Sequence, residues 1–447
     1  MKRLDSFLFF NLLLTAVFAP LAYGTVEAWS VALFELNALL LAVLLAARFT
    51  FAAATDWHVE WRLAAPLCAL LLLAVVQLLP LRGAAQTTGV FEAAQAWQTL
   101  TLDVQATRES AIKLLALLIY FVTALHLLRD AERRRKLLIT LSTLGASVAL
   151  FAIVQKLTWN GKLYWLRSVS PYVAPFGPYA NYNHFAGLME LLWPLPFAYA
   201  LFARVEAGQR ALWLFAVVLM AAALLFSLSR GGMLAFSAQL MALLWLARRW
   251  QRDESRRLLS APVTVGLVAL LIVVAALWIG ADRLLWRVQS LGQGAQEYSV
   301  VTRLEYWRAA GRMVLDHPLL GVGIGAFPTA YPRYGHSSAK LEQLEQTHND
   351  YLQVLTDAGA LGGVILLWFM FVLLRQLRRQ WRALAHWRSQ ERALWAGSGV
   401  ALLGIAVHSL LDFNLQITAN ALLCLLAVAL LSTISAEPLP QRHRSAA

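Results

Sequence analysis

Long apolar runs alternate with short polar connections along most of the chain. A helix that crosses the hydrocarbon core of a bilayer needs about 20 apolar residues, and we find twelve segments of roughly this length. The pattern predicts an all-α polytopic membrane protein with about 12 transmembrane helices. The predicted spans cover approximately residues 6–24, 28–47, 62–80, 111–128, 137–157, 184–203, 211–228, 231–247, 262–280, 359–377, 393–411 and 416–433.

The composition agrees with a membrane protein. Hydrophobic residues make up 60% of the chain and charged residues 14%, whereas soluble domains are about 45–50% apolar and about 25% charged. Cys68 and Cys424 both lie within apolar runs, so no disulfide framework and no cysteine metal site is indicated. The net charge of +13 does not indicate nucleic-acid binding, because the basic residues form short clusters between apolar runs.

These basic clusters predict the orientation of the chain. They lie at 129–136, 248–257 and 375–392, in alternate connections. Cytoplasmic loops of membrane proteins carry an excess of Lys and Arg, so we expect these connections to be cytoplasmic and the others to face outward. The longest outward connection divides the chain into three predicted regions. These are a nine-span region (1–280), a helical outer loop (281–358) between the ninth and tenth spans, and a three-span region (359–447) with a cytoplasmic C-terminal tail.

The outer loop has a helical pattern of apolar residues. Apolar residues recur at a spacing of three to four from Val301 to Leu315, and the helix is expected to end near Pro318, because the residue before proline disfavours helical angles. The glycines of 321–325 look like part of a dinucleotide loop, but no strand precedes them, so no such site is predicted. A last helix is expected to begin near Thr347 and to continue into the tenth span.

Three basic side chains are candidates for anion binding. Arg230 lies at a break between two spans and precedes Gly231 and Gly232. It is either an arginine that reaches the interface from a helix end or, with the following helix N-terminus, a ligand for a diphosphate. Arg303 and Arg308 lie on the first loop helix, either as a solvated basic face or with Tyr306 and Trp307 resting the helix on the membrane surface so that Arg303 faces Arg230.

His348 is a candidate general base. If Thr347 caps the following helix, the imidazole lies in its first turn, where the helix dipole favours the neutral ring that a base needs. The alternative is an ordinary capped helix start that contains a histidine. Asn181 and Asn183 open the sixth span and are either sugar-binding residues or simple helix caps.

Taken together, these motifs resemble the O-antigen ligase and polymerase superfamily of bacterial envelope glycosyltransferases. The resemblance covers about residues 175–365, and its most specific part extends in order from His317 to Gly362. The matching segments are Asn181-Tyr182-Asn183-His184-Phe185, Ser229-Arg230-Gly231-Gly232, Arg303-Leu304-Glu305-Tyr306-Trp307, Asp316 through Phe327, His348-Asn349-Asp350-Tyr351-Leu352 and Gly359-Ala360-Leu361-Gly362.

The resemblance implies an inverting lipid-sugar glycosyltransferase of the GT-C-like class in the bacterial inner membrane, with its active site facing the periplasm. The implied donor is a glycan on undecaprenyl diphosphate, and the implied acceptor is a hydroxyl of lipid A-core or of another glycan. It assigns Arg230 and Arg303 to the donor diphosphate and His348 to the acceptor. Possible supporting residues are Asn181, Asn183, Arg308, Asn349 and Asp350.

No metal and no cofactor is expected, because the chain has no Asp-x-Asp pair and no metal-ligand spacing. An O-antigen ligase is favoured over an O-antigen or exopolysaccharide polymerase, and protein glycosylation also stays open, because these activities share the motifs. Two other classes compete: a lipid-linked glycan transporter and a non-catalytic scaffold. The size of a single outer loop disfavours the transporter, since transporters commonly have pseudo-symmetric halves.

Overall fold

A computed structural model of the chain describes residues 2–51, 60–81, 99–170, 174–250, 298–335, 346–384 and 387–434, together with position 266. These residues are mainly α-helical, and a short hairpin pairs β1 (Lys162–Leu163) with β2 (Arg167–Ser168). The described α-helices are α1 (Lys2–Leu21), α2 (Ala28–Phe51), α3 (Trp61–Leu78), α4 (Val104–Leu127), α5 (Ala131–Leu157), α6 (Tyr182–Leu192), α7 (Pro194–Phe202), α8 (Ala207–Phe226), α9 (Arg230–Trp250), α10 (Tyr298–Asp316), α11 (Phe327–Ala330), α12 (Asp350–Ala383), α13 (Ser389–His408) and α14 (Thr418–Thr433).

The predicted all-α membrane architecture is confirmed. Within the described ranges, nine helical segments are long and apolar enough to cross a membrane: α1 to α5, α6 with α7, α8, α9 and α12. Apart from position 266, the predicted span 262–280 lies outside the described residues, as does the predicted cytoplasmic tail. The predicted spans 393–411 and 416–433 correspond to α13 and to α14, a shorter apolar helix of 16 residues. The total of twelve spans therefore stays a prediction.

The predicted sixth span is two helices rather than one. α6 ends at Leu192 and α7 begins at Pro194, because proline lacks the N–H that would continue the helical hydrogen bonding. Every residue from 183 to 202 is buried. The segment packs against α8, α9 and α13, which makes it the centre of the bundle. Side chains at its first turns therefore point into protein rather than lipid.

Described residues of the basic clusters lie at one end of the bundle. Arg48 pairs with Asp5 at 2.8 Å, and Arg134 pairs with Glu391 at 2.7 Å. Arg134 also donates to the Thr433 carbonyl, which brings the end of α14 to this cluster. Trp250 and Trp381 lie beside Trp395 here, which brings the ends of α9 and α12 together with the start of α13. The described parts of the three clusters that the sequence predicts to share one side thus lie at one end of the fold.

This arrangement predicts which positions an impermeant thiol reagent reaches. In a chain with Cys68 and Cys424 replaced, Ser168→Cys in the exposed hairpin is expected to react in intact cells, and Ala131→Cys at the basic end is expected to react only after the membrane is opened. Labelling of position 131 in intact cells with position 168 protected would reverse the orientation.

The loop that follows α10 is locked to a break in α12. Gly359 has φ +60° inside α12 and interrupts its helical backbone. The freed carbonyls of Thr356 and Asp357 accept the N–H groups of Val322 and Gly323 at 2.9 and 3.1 Å. Gly323 has φ +116°, and a Cβ there would collide with the Thr101 hydroxyl. The glycines of 321–325 are thus explained by packing, and they hold α10 against the end of the bundle opposite the basic clusters.

Candidate active site

A buried carboxylate, Asp412, is the centre of a polar network at this second end of the bundle. It lies between α13 and the short 3-10 helix Asn414–Gln416 and is 1% exposed. Its Oδ1 accepts the Phe413 N–H at 2.9 Å and lies 3.2 Å from His348 Nδ1. Its Oδ2 accepts Asn183 Nδ2–H at 2.6 Å and Arg303 Nη2–H at 3.1 Å. Residues far apart in the sequence therefore meet on one side chain.

The partners of Asp412 keep it ionised. Burial by itself raises the pKa of this carboxyl, but the hydrogen bond from His348 and the positive charge of Arg303 hold its pKa well below the ordinary value. An ionised carboxylate only accepts hydrogen bonds. His348 Nδ1 must therefore carry the proton that faces Asp412, and Nε2 is the ring nitrogen left for an acceptor hydroxyl.

His348 lies two residues before α12, which begins at Asp350. The prediction that Thr347 caps this helix is therefore wrong. The cap is Asn349, whose side chain accepts the Leu352 N–H at 3.0 Å, while the Thr347 hydroxyl donates to the Asn349 carbonyl. Asparagine is among the strongest capping residues. The imidazole is therefore not in the first helical turn, and its contact with Asp412, rather than the helix dipole, decides which nitrogen carries the proton.

The backbone of His348 is strained and is held by its neighbours. Its φ of +54° is in the left-handed region, which non-glycine residues seldom occupy. Tyr306 stacks on the ring at 6.0 Å with an interplanar angle of 9°, and Phe413 meets it edge-on at 4.8 Å. Strain of this kind persists where the surrounding structure fixes it, and it concentrates at functional sites.

α10 presents Arg303, Tyr306 and Trp307 to the same region, since residues three and four apart share a helix face. Tyr306 is 5% exposed, and Trp307 Nε1–H donates to the Thr347 carbonyl at 3.0 Å. The alternative in which these two rings rest α10 on the membrane surface is therefore wrong, because they pack against the His348 segment instead. Arg308 lies on the exposed side of α10 and is not a partner of Asp412.

Arg230 enters the site through its neighbour Ser229. The Ser229 hydroxyl donates to Asn183 Oδ1 at 2.7 Å and accepts the Gly232 N–H at 3.1 Å, so it caps α9 and joins it to α6. Arg230 is the first residue of α9 and is partly buried. The chain Ser229–Asn183–Asp412 therefore places the start of α9 beside the His348 and Arg303 cluster.

The other supporting candidates have structural partners. Asn181 caps α6 by accepting the Asn183 N–H at 2.8 Å, which agrees with the helix-cap alternative. Asn349 caps α12, and its amide donates to the Leu410 carbonyl. Asp350 accepts the Ser409 hydroxyl and the Leu415 N–H at 2.7 and 3.1 Å, which ties α12 to the α13–α14 connection.

Asp412 is the residue that the sequence analysis missed. The sequence did contain one indication of its position: Asp412 is a charged residue directly after the predicted span 393–411, in a connection predicted to face outward. Its importance depends on partners 64, 109 and 229 residues away along the chain, and no local spacing shows these. Across the described ranges, no group of three or more His, Cys, Asp or Glu side chains is placed to hold a metal ion.

Comparison with known families agrees with the sequence motifs. Residues 215–367 match the family model described as O-Antigen ligase. The matched stretch contains Arg230, Arg303 and His348, whereas Asn183 and Asp412 lie outside it. No curated protein matches the chain. The match supports a glycosyltransferase-like enzyme of ligase or polymerase type with lipid-linked substrates, and residues 215–367 of this multi-pass membrane protein support its assignment to the O-antigen ligase superfamily.

Proposed function

We propose that this protein is an O-antigen ligase-type inverting glycosyltransferase, which moves a glycan from undecaprenyl diphosphate to a hydroxyl of lipid A-core at the periplasmic face. One observation carries the proposal. Asp412 holds the Nδ1 edge of His348 at 3.2 Å and a guanidinium nitrogen of Arg303 at 3.1 Å. A base and a cation are thereby oriented by one carboxylate, as acid–base chemistry next to a departing anion requires.

The chemical step follows from these positions. His348 Nε2 accepts the proton of the acceptor hydroxyl while that oxygen attacks the anomeric carbon of the donor sugar. The bond from this carbon to the phosphate oxygen breaks, and its electron pair leaves with the diphosphate. Attack on the face opposite the leaving group inverts the anomeric centre. Asp412 stabilises the imidazolium that forms, as the carboxylate of a catalytic triad does.

Arg303 and Arg230 are the proposed ligands of the departing diphosphate. A guanidinium has five N–H donors, so Arg303 keeps several of them after one is committed to Asp412. Its side chain is 27% exposed, which leaves it accessible to a ligand. Arg230 begins a membrane-spanning helix, where the N-terminal dipole favours anions. When the diphosphate binds at this helix end, the polyprenyl chain of the donor can remain in the lipid.

The test is transfer by the purified protein in liposomes that contain a lipid-diphosphate glycan and a lipid A-core glycolipid. Glycosylated lipid A-core is the expected product. Longer glycans that are still linked to the polyprenyl diphosphate would identify a polymerase instead. Absence of both products, with the protein folded and both lipids present, would contradict a transferase of either kind.

Transfer is expected to need neither a divalent ion nor an added nucleotide. The leaving diphosphate is neutralised by arginines in this mechanism, and the donor is already activated. The measurement is the transfer rate in excess chelator, compared with the rate after magnesium or manganese is added. Loss of activity in chelator that the added ion restores would contradict neutralisation by arginine alone.

Arg230→Ala and Arg303→Ala are each expected to weaken donor binding and to lower the rate by about 10- to 10²-fold, the range for a hydrogen bond between charged groups. Lysine at either position is expected to restore activity only partly, because an ammonium group lacks the planar two-pronged geometry. Donor affinity and single-turnover rate are the measurements. Arg312→Ala, at an exposed position on the same helix as Arg303, is the matched control and should change neither.

A further inference from the structure

A second polar pair lies below the Asp412 network, inside the bundle. Glu190 on α6 and His408 at the end of α13 are 0% and 1% exposed, and Glu190 Oε1 lies 2.7 Å from His408 Nδ1. Ionisable side chains within membrane-spanning segments are costly and usually have a function. The proposed chemical step uses neither residue, because neither one is a partner of His348 or Arg303 among the described hydrogen bonds.

This pair is a second contact between α6 and the α13 segment, about two helical turns along α6 from the contact between Asn183 and Asp412. Asn183 and Glu190 are seven residues apart, which is about two helical turns, so they lie on one face of α6. Asn183 binds Asp412, and Glu190 binds His408, four residues earlier in the chain. The His408 carbonyl also accepts the Asp412 N–H at 3.0 Å. His408 therefore anchors both the end of α13 and the turn that presents Asp412.

The other edge of the His408 imidazole supports the start of α9. A Cβ at Gly231 would lie 2.5 Å from His408 Cδ2 and 2.6 Å from Nε2, so the first turn of α9 rests directly on the ring. Gly231 immediately follows Arg230. One imidazole thus touches the helix that presents the proposed diphosphate ligand and, through its own backbone, the carboxylate that orients the base.

We propose that Glu190 and His408 are a positioning pair, which fixes Arg230 at the start of α9 relative to the Asp412–His348 base. The proposal rests on the proposed function and deepens it, because it names what sets the distance between the donor and acceptor halves of the site. Misplacement of reacting groups by about 1 Å can cost on the order of 10²-fold in rate. Neither side chain touches substrate in this scheme.

The first experiment separates positioning from folding. In liposomes that contain donor and acceptor, His408→Ala and Glu190→Leu are expected to lower kcat by about 10²-fold, with a much smaller change in donor KM because both arginines remain. Glu190→Gln retains an oxygen acceptor for His408 and should restore kcat to within about tenfold of wild type. Asn11→Leu, which breaks the 2.8 Å bond between Asn11 and Asn37 on α1 and α2, is the matched control and should leave kcat unchanged.

The second experiment tests the contact without using activity. Gly231→Ala is expected to lower the Tm of the wild-type protein, but to lower it no further in a His408→Ala background, because removal of the ring makes room for the methyl group. Gly232→Ala, whose Cβ would meet Ala186 Cβ at 2.7 Å, should have the same effect in both backgrounds.

The outcomes separate the two proposals. Folded His408→Ala and Glu190→Leu proteins with wild-type kcat would overturn the positioning pair, as would equal effects of Gly231→Ala in both backgrounds. An Asn11→Leu protein with an equally low kcat would also overturn it, since any buried bond would then suffice. If wild-type protein transfers no glycan, the proposed function fails, while the Tm comparison still decides whether His408 supports α9.

Discussion

Replacement of His348 by alanine is expected to lower glycan transfer by roughly 10²–10⁴-fold, the usual contribution of general acid–base catalysis. Nδ1 of this ring is committed to Asp412 at 3.2 Å, so Nε2 is the nitrogen that we propose accepts the proton of the acceptor hydroxyl. Donor affinity should change little, because the arginines are the proposed ligands of the donor diphosphate. The measurements are donor affinity and single-turnover rate, made after equal folding and membrane insertion of the variant have been confirmed.

His317→Ala is the matched control for this variant. His317 follows α10 in the same outer loop and lies outside the Asp412 contacts described above, so its loss should leave the rate close to that of the wild type. A fully active His348→Ala protein would remove the proposed base and would favour a transporter or a scaffold. If His348→Ala lost donor binding while Arg230→Ala kept it, the assigned roles would have to be exchanged.

Asp412→Asn is expected to lower the rate by a similar factor, about 10²–10⁴-fold, but to differ from His348→Ala in its effect on donor affinity. One carboxylate holds His348, Arg303 and Asn183. An amide has only one oxygen and carries no charge, so it cannot keep all three contacts. Because Arg303 is released together with His348, donor affinity should fall along with the rate, whereas His348→Ala should spare donor affinity.

The matched control is Asp103→Asn. Asp103 caps α4 at the same end of the bundle and accepts the Thr329 hydroxyl at 2.6 Å, so its replacement tests loss of a structural carboxylate outside the network. It is expected to lower Tm modestly and to leave the rate of folded enzyme unchanged. Asp412→Asn protein that is folded and has wild-type rate and donor affinity would contradict the central role of this carboxylate.

The sequence by itself determined the class of fold and part of the site. A run of about 20 apolar residues can be recognised without knowing its neighbours, and α1 to α5, α8 and α9 all coincide with predicted spans. The site motifs that were recognised are also local. Arg303 and Tyr306 share a helix face because of helical periodicity, and Arg230 starts a helix because Ser229 caps it.

Tertiary structure decided the partners and the orientation of these residues. The cap before α12 is Asn349 rather than Thr347, a choice that also involves Gln353, whose side-chain oxygen accepts the Thr347 N–H. Tyr306 is buried against His348 instead of lying on a membrane surface, because α10 is tied to the break in α12. Asp412 has a role only where α6, α10, α13 and the segment before α12 converge. Periodicity fixes which side chains share a face of one helix, but the meeting of helix ends depends on the packing of the whole bundle, and single-sequence spacing carries no information about such long-range contacts.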